Sequence, residues 1–420
     1  MTRRVAVIFG GRSVEHEVSV ITGHQVMAAF PIDRFTPFPL YIAKDGTWYL
    51  GDGLRDLSAF ADVDALIARS TAVVPAVDVG GGGRLLRPRA SGGLLRRGDA
   101  VVDQFDIAFP VVHGSHGEDG TLQGLFELAD IAYTGCGVAA AAIGMDKPLA
   151  KRLFRAAGLP VLDDVVVTRS QWQRGADAVI ADVEARIGFP AYVKPATLGS
   201  SIGVSRVDNA AELRDAAVLA CAYDSRFLVE AAQEGIVEAN CSILGWQDDV
   251  VVSVLEQPTK QGLLGYADKY AGGAKAGAKG RPAAKVSGGA KSAGMQTGGR
   301  IIPAPLRDEL TAGIQDAARR AFAGIGAAGV ARADFLVRPD EGTFILNEIN
   351  TMPGSLSYYL WEASGLPFAD LIIKLIDIAE RRRAEKREST FSIDDWLLRG
   401  ASAAGAKSGT GSGGMERRGG

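Results

Sequence analysis

The stretch of sequence that decides the fold is ARADFLVRPDEGTFILNEIN, at residues 331–350. Two runs within it, Ala331–Val337 and Thr343–Ile349, are rich in apolar residues and flank a polar turn, which predicts two neighbouring strands. Residues two apart on a strand point to the same face of the sheet. The strands therefore offer four polar side chains to one site: Arg332, Asp334, Glu348 and Asn350.

These four side chains have the chemistry of a phosphoryl-transfer site. Asp334, Glu348 and Asn350 supply hard oxygen ligands, which suit a Mg²⁺ ion that bridges nucleotide phosphates. Arg332 would offset charge on a transferring phosphoryl group. The alternative is a solvated strand face, but the flanking residues are apolar, and polar groups inside an apolar strand pair need partners. The pattern therefore favours a metal and nucleotide site.

A glycine- and serine-rich turn gives a second signal for phosphate binding. Lys194 lies near the end of a predicted strand, Ala191–Pro195, and GSSIGV follows at residues 199–204. Small residues let backbone N–H groups approach phosphate oxygens, and a lysine ammonium adds a positive charge. The spacing is not that of a Walker A motif. Alone, the glycines fit a flexible turn slightly better, but together with the acidic strands they favour phosphate binding.

Two glycine-rich loops in the first third follow predicted strands. FGGRS at residues 9–13 leads towards a helix and suits an anion or carboxylate, although in isolation a tight turn explains it better. HGSHGEDGT at residues 113–121 follows an apolar strand, where α/β proteins place binding groups. Asp119 or Thr121 would also cap the next helix, and the two roles are compatible.

Composition excludes several classes of function. The net charge of −3 over 420 residues provides no field for nucleic acid or an anionic membrane, and no apolar run is long enough to span a bilayer. The three cysteines lack metal-ligand spacing, and one must stay unpaired, which favours a reducing compartment. We therefore expect a cytoplasmic protein with no nucleic-acid partner and no membrane partner.

The order of predicted elements indicates α/β and α+β domains. We expect an N-terminal α/β domain at 1–143, a small central domain at 144–230, a C-terminal domain at 231–388 and a disordered tail at 389–420. Residues 80–99, rich in Gly and Arg, predict a surface insertion. The Gly-, Ala- and Lys-rich segment 262–299 is either a mobile basic lid over nucleotide phosphates or a solvated linker.

Taken together, the motifs resemble the D-alanine–D-alanine ligases of the ATP-grasp superfamily over residues 3–385. The segments that carry the resemblance are GGRSVEHEVS at 10–19, HGSHGEDG at 113–120, YTG at 133–135, MDK at 145–147, KP at 194–195, GSSIGV at 199–204, KY at 269–270, RADF at 332–335 and NEINTMPG at 347–354. The resemblance implies a three-domain ATP-grasp architecture with a Rossmann-like N-terminal domain.

The resemblance also implies a two-step ligation for peptidoglycan synthesis. ATP phosphorylates the carboxylate of a first D-alanine, and the amine of a second attacks the acyl phosphate, giving the dipeptide, ADP and phosphate. Elementary chemistry agrees, because a carboxylate and an amine do not condense in water without activation. The acyl phosphate must then be shielded from water, which a closing segment can do.

Site residues carry over from the family one by one. The residues implied to bind ATP, at its phosphates or at adenine and ribose, are Lys147, Lys194, Ser200, Ser201, Glu230, Glu238 and Lys269. The residues implied to act on the substrates are Glu15, Ser200, Tyr270, Arg332 and Gly354. The residues implied to hold two Mg²⁺ or Mn²⁺ ions are Asp334, Glu348 and Asn350.

The roles within these sets follow the family. Glu15 would bind the ammonium of the first D-alanine, Arg332 would stabilise the acyl phosphate and the tetrahedral intermediate, and Gly354 would supply backbone near the second substrate. Glu230 and Glu238 would face adenine and ribose. Lys269 and Tyr270 would lie on the loop that closes the site, and the family further implies a homodimer through the first domain.

One departure from the family bears on the second substrate. Many members have a serine where Tyr359 stands, and that serine contacts the carboxylate of the second substrate. Either Ser355 or Ser357 would replace it here, or the second substrate differs. D-Lactate, D-serine or another amino acid therefore stays open, and so does a non-catalytic nucleotide-binding regulator. A regulator would have little use for the complete set of four polar residues on the two strands.

Overall fold

The structure of the protein, a computed structural model, describes residues 2–79, 82–88, 100–259 and 299–392. Three β-sheets, of eight, four and five strands, follow one another along this part of the chain. They confirm the predicted combination of α/β and α+β architecture. Of the predicted lid 262–299 only Gly299 is described, and of the predicted tail only residues 389–392.

The first sheet is built from residues 3–133. Its eight described strands are β1 (Arg3–Gly10), β2 (Phe35–Ile42), β3 (Trp48–Leu50), β4 (Thr71–Pro75), β5 (Arg84–Leu86), β6 (Val101–Gln104), β7 (Ile107–Pro110) and β8 (Ala132–Tyr133). Their order is β6-β5-β4-β3-β2-β1-β7-β8. The β2-β1-β7-β8 half is parallel, and the other strands extend it in antiparallel fashion. The helices of this unit are α1 (His16–Ala29), α2 (Val63–Ala68), α3 (Thr121–Leu128) and α4 (Val138–Met145).

Strand β1 shows why a continuous apolar run forms the centre of this sheet. Val5 to Phe9 are all at most 1% exposed, as a strand covered on both faces requires. Val5, Val7 and Phe9 pack in one cluster with residues of α1, while Ala6 and Ile8 pack in another with residues of α3. Because side chains alternate along a strand, one short run serves both layers.

The predicted surface insertion at 80–99 is partly a strand. Arg84–Leu86 forms β5, which pairs with β4 and β6, and Leu85 is fully buried in the sheet core. A strand of three residues between glycine-rich flanks is too short for its alternation of apolar and polar residues to be distinguished from a loop. Residues 80, 81 and 89–99 lie outside the described ranges.

The second sheet is smaller and antiparallel. Its described strands are β9 (Asp164–Thr168), β10 (Ala191–Pro195), β11 (Ser205–Val207) and β12 (Arg226–Ala231), in the order β11-β10-β12-β9. The helices that pack on it are α6 (Arg169–Arg186) and α7 (Ala210–Tyr223), while α5 (Lys147–Ala156) precedes this sheet in the chain and packs its apolar residues with those of the third sheet. Strand β10 has the bounds that the sequence predicts.

Capping residues set where these helices begin. Asp146 accepts a hydrogen bond from the Leu149 amide at the start of α5, and Thr168 forms a reciprocal capping box with Gln171 at the start of α6. From the sequence we predict this helix over residues 176–187, so the observed helix begins seven residues earlier than predicted. The backbone breaks helical geometry at Gly175, with φ −167° and ψ 68°, which explains why the first turns read as a separate segment.

The third sheet contains residues 331–350, the stretch from which two polar-faced strands are predicted. Its described strands are β13 (Val237–Trp246), β14 (Asp249–Pro258), β15 (Arg300–Ile301), β16 (Ala328–Arg338) and β17 (Thr343–Asn350), in the order β15-β14-β13-β16-β17. The accompanying helices are α8 (Asp308–Gly324), α9 (Tyr358–Ala363) and α10 (Phe368–Arg387). The predicted adjacency of the two strands is confirmed, because β16 pairs with β17 in antiparallel register.

The chain folds back so that its C-terminal helices pack against the first sheet. One hydrophobic cluster contains Phe9 and Phe109 from that sheet together with Leu360 and Leu375 from α9 and α10. Arg387 on α10 donates to Asp130 Oδ2 at 2.5 and 2.8 Å. No helix within the described ranges is both long and apolar enough to cross a membrane.

Candidate active site

A cleft between the second and third sheets brings together most of the predicted nucleotide and metal residues. It encloses a cavity of about 100 Å³. The predicted residues that line it are Lys147, Lys194, Ser200, Ser201, Glu238, Asp334 and Glu348. These residues come from α5, β10, the turn after β10, β13, β16 and β17, so the tertiary fold assembles them from distant parts of the chain.

Strand register places the polar residues of β16 and β17 side by side. Arg332 lies opposite Asn350, and Asp334 lies opposite Glu348. Arg332 Nε donates to Asp334 Oδ1 at 2.6 Å and its Nη2 to Oδ2 at 2.7 Å, while Asn350 Nδ2 donates to Asp334 Oδ2 at 3.0 Å. Burial works against the charge on Arg332, but Asp334 outweighs it and raises the pKa of the guanidinium. Arg332, Asp334 and Asn350 therefore form one hydrogen-bonded group, and Glu348 lies opposite Asp334 on the neighbouring strand.

The donor set of this group fits a divalent cation. Asp334 and Glu348 offer carboxylate oxygens from adjacent strands, and Asn350 offers a neutral amide oxygen beside them. Among the described residues no group of three or more His, Cys, Asp or Glu side chains could hold a metal, so an all-acidic or histidine cage is not part of this site. Asp334 also serves Arg332, so a cation would compete with the guanidinium for its oxygens.

Two lysines face the acidic residues across the cleft. Lys147 Nζ lies 3.8 Å from Glu348 Oε2 and donates to the Leu198 carbonyl at 2.6 Å. Lys194 Nζ donates to Asn347 Oδ1 at 3.3 Å and lies 2.6 Å from Glu230 Oε2. Their side chains are each 15% exposed, so both ammonium groups reach the cleft from a largely buried position.

Glu230 lies behind Lys194 and does not line the cleft. Its side chain is 4% exposed and contacts Lys151 as well as Lys194. Burial opposes ionisation of Glu230, but the two lysines outweigh it and hold its pKa at about 2. Lys151 is a residue near the site for which the sequence predicts no role. Its four-residue spacing from Lys147 on α5 was the available signal, but only the structure shows that it is buried against Glu230.

Glu15 lies where the first sheet meets the turn after β10. It precedes α1, is 5% exposed, and accepts a hydrogen bond from the Ser200 hydroxyl. A Cβ on Gly114, whose φ is +74°, would lie 2.6 Å from Glu15 Oε2, and a Cβ on Gly199 would lie 3.0 Å from it. Glycine at both positions therefore allows the carboxylate to fit between the two loops.

A second carboxylate, Glu118, belongs to the same corner of the site. Its Oε2 accepts a hydrogen bond from the Gly114 amide at 2.7 Å. Burial and the nearby charge of Glu15 raise the pKa of Glu118 to about 8. The loop at 113–121 is a predicted binding loop, but no role is predicted for Glu118, because sequence does not reveal that two carboxylates from different loops meet.

The turn that follows β17 has an unusual backbone. Ser355, Leu356 and Ser357 have φ values of +52°, +53° and +50°, a region that non-glycine residues adopt at a cost. Such strained backbone clusters at functional sites. The turn begins at Gly354, and Ser355 Oγ donates to Gln25 Oε1 of α1 at 2.6 Å. The predicted Gly354 backbone is thus held between the third sheet and the first.

Tyr359 is buried below this turn. Its hydroxyl donates to Glu256 Oε1 at 2.8 Å, and the Arg300 guanidinium lies 4.2 Å from the centre of its ring. Ser355 and Ser357, the alternatives to the missing serine, are 4% and 0% exposed. Lys269 and Tyr270 lie outside the described residues.

Comparison with known proteins identifies the family. Family models described as D-ala D-ala ligase N-terminus and D-ala D-ala ligase C-terminus match residues 4–136 and residues 153–287 and 289–377. D-alanine--D-alanine ligases of Acetivibrio thermocellus and Heliobacterium modesticaldum are 36% and 37% identical, covering 90% and 93% of this chain and 96% and 98% of their own.

Solved structures agree with the sequence relatives. The VanG D-Ala:D-Ser ligase from Enterococcus faecalis has a TM-score of 0.71 at 29% identity, covering 90% of this chain and 100% of its own. The D-alanine-D-alanine ligase from Coxiella burnetii has a TM-score of 0.71 at 26% identity, covering 96% of this chain and 99% of its own. The chain therefore belongs to the D-alanine–D-alanine ligase family.

Proposed function

We propose that this protein joins two D-alanine molecules at the expense of ATP and so supplies the dipeptide for peptidoglycan synthesis. Its family supports an ATP-dependent ligase with a divalent metal. The observation that carries the proposal is the cleft in which Lys147 and Lys194 face Asp334 and Glu348. Positive groups for phosphates and oxygen ligands for cations meet in this cleft, and both are needed for phosphoryl transfer.

The nucleotide occupies this cleft in the proposal. Lys147 and Lys194 bind its phosphates, and Ser200 and Ser201 approach them from the turn after β10. Both serines have left-handed φ values, +53° and +57°, so the backbone there is arranged at a cost, as at other ligand-binding turns. Glu238 lies in the cleft lining and faces the adenosine part, while Glu230 acts through the lysines that it contacts.

Asp334, Glu348 and Asn350 would hold two Mg²⁺ or Mn²⁺ ions, which would offset the charge of the phosphates when bound. Every other contribution comes from the chain itself. Arg332 turns towards the transferring phosphoryl group from Asp334, which lines the cleft, and its guanidinium keeps its charge when buried against that carboxylate. It thereby stabilises charge that grows during transfer.

The substrates lie between this cleft and the first sheet. Glu15 binds the ammonium of the first D-alanine, and the Ser200 hydroxyl fixes the orientation of the Glu15 carboxylate. A carboxylate oxygen of the first D-alanine attacks the γ-phosphorus, and ADP leaves. The amine of the second D-alanine, held near the Gly354 backbone, attacks the acyl carbon. The amine loses a proton, the C–O bond to phosphate breaks, and Arg332 stabilises the oxyanion of the tetrahedral intermediate.

We also propose the domain division 1–143, 144–230 and 231–388, a homodimer that associates through the first domain, and a cytoplasmic location. The three successive sheets support the division, since each lies within one of the proposed segments apart from Ala231, the last residue of β12. The homodimer and the cytoplasmic location are proposed from the family resemblance and the cysteine content.

Phosphate release in the presence of ATP and Mg²⁺ tests the function directly. We expect release that depends on D-alanine and yields the dipeptide in equal amount, with L-alanine inactive. D-Serine and D-lactate, offered together with D-alanine, test the second site beside Tyr359. Release no faster with D-alanine than with L-alanine would overturn the proposal, and so would a mixed product formed in preference to the D-alanine dipeptide.

A further inference from the structure

Four charged side chains are buried together where α5 meets the second sheet. Lys151 is 3% exposed, and the carboxylates of Glu230 and Asp164 are 4% and 11% exposed. Lys151 Nζ contacts Glu230 Oε1 and lies 3.2 Å from Asp164 Oδ1. Lys194 Nζ lies 2.6 Å from the other oxygen of Glu230. One carboxylate is therefore shared by two ammonium groups.

Strand register explains why a buried cation is needed here. Glu230 on β12 lies directly opposite Asp164 on β9. Like charges directly opposite each other on neighbouring strands repel, and the repulsion is stronger where both are buried. Lys151 lies within reach of both carboxylates, so it removes this repulsion. A charge-neutral side chain at position 151 would leave Lys194 as the one lysine, among the residues that the structure describes, in contact with Glu230.

The same arrangement determines how much positive charge reaches the cleft. Lys194 lines the cleft, while Lys151 and Glu230 do not. With Lys151 present, Lys194 neutralises only part of the Glu230 charge. Without Lys151, the ammonium of Lys194 and the carboxylate of Glu230 would form an ion pair with no net charge. The positive electrostatic potential that Lys194 contributes at the cleft would then be weaker.

We propose that Lys151 is a positioning residue for the nucleotide site, which shares the charge of Glu230 and so leaves the Lys194 ammonium available to nucleotide phosphate. The inference rests on the proposed role of Lys194 at the ATP phosphates. Lys151 does not touch the nucleotide and acts through Glu230. Its effect must therefore depend on the phosphates of the ligand and not on the nucleoside.

Calorimetric titration of the full-length protein with ADP and with adenosine, both in Mg²⁺, separates these effects. Lys151→Met is expected to weaken ADP binding about tenfold and adenosine binding by less than about twofold, since loss of one buried charge acts on the charged ligand. Lys151→Arg, which keeps the charge, is expected to retain ADP affinity. Arg155→Met is the matched control, because Arg155 lies one turn further along α5, reaches Asp164 at 3.5 Å, and is 45% exposed.

A double variant, Lys151→Met with Glu230→Gln, keeps the test decisive if the single variant is unstable. It removes one cation and one anion, so Lys194 has no buried carboxylate to neutralise. Its preference for ADP over adenosine is expected to return close to that of the wild type. Equal loss of ADP and adenosine affinity in Lys151→Met, or a double variant without that preference, would overturn the inference. A wild-type protein that binds ADP no better than adenosine would instead overturn the proposed nucleotide site itself.

Discussion

Replacing Glu230 by glutamine should remove a large acid-sensitive contribution to the stability of the central sheet. The pKa of this buried carboxyl group is about 2, against an ordinary 4.5, because Lys194 and Lys151 outweigh the effect of burial. A difference of about 2.5 pH units corresponds to about 3 kcal/mol at 1.36 kcal/mol per unit. A lowered folded-state pKa stabilises the native state above the unfolded pKa. The contribution is therefore complete at pH 7 and is lost as the pH falls from 4.5 towards 2.

Denaturant unfolding of the ligand-free protein at several pH values between 7 and 3 measures this contribution. The free energy of unfolding of the wild type should fall more steeply below pH 4.5 than that of Glu230→Gln, so that the difference between the two proteins shrinks with acidification. Asp163→Asn is the control, because Asp163 is 92% exposed and should leave the pH dependence unchanged. A difference between wild type and Glu230→Gln that stays constant across this pH range would refute the reasoning.

Three further predictions concern the site. Arg332→Ala should reduce D-alanine-dependent phosphate release at least about a thousandfold, because it removes a group that stabilises charge on the phosphoryl group. ADP binding, measured by calorimetry, should stay within a few-fold of that of the wild type. Loss of both phosphate release and ADP binding would indicate a structural role for Arg332. Burial and the charge of Glu15 raise the pKa of Glu118 to about 8, so Glu118 is protonated at neutral pH. Glu118→Gln should therefore remove an ionisation near pH 8 from the pH profile of kcat/KM for the first D-alanine. An unchanged pH profile would contradict this. The raised pKa also means that the free energy of unfolding of the wild type decreases as the pH rises from 4.5 to 8. In Glu118→Gln this contribution to the decrease should be absent from unfolding measurements. Tyr359→Phe removes the hydroxyl that donates to Glu256 and should cost about 1–3 kcal/mol in the free energy of unfolding, and no measurable loss would show that the bond contributes nothing.

Local pattern was enough for much of the fold. Strand β10 has the predicted bounds, and the strand pair at the C-terminal end was found from its apolar runs and polar turn. Helix α4, with the sequence VAAAAIGM, was missed because it has no polar face and so no helical period. The three left-handed residues at 355–357 could not be foreseen either, since no glycine marks them.

Some residues of the candidate site were likewise predictable from local pattern, and others were not. The sequence pointed to Asp334, Glu348 and Asn350, because a period of two places residues on one face regardless of the rest of the chain. It gave no means of seeing that the Ser200 hydroxyl reaches Glu15, a residue 185 positions away, since that contact depends on how two sheets pack.

Sequence by itself therefore determined the family, the central strands and the residue types that the chemistry requires, because these depend on short-range periodicity and on the identity of side chains. Tertiary structure alone decided which charges meet. Glu230 lies between Lys151 and Lys194 because the tertiary fold brings Lys151 of α5 next to β12, and its acidity follows from its burial and those two neighbours. Electrostatic energy depends on distance and on exclusion of water, and neither quantity is written in the order of residues along a chain.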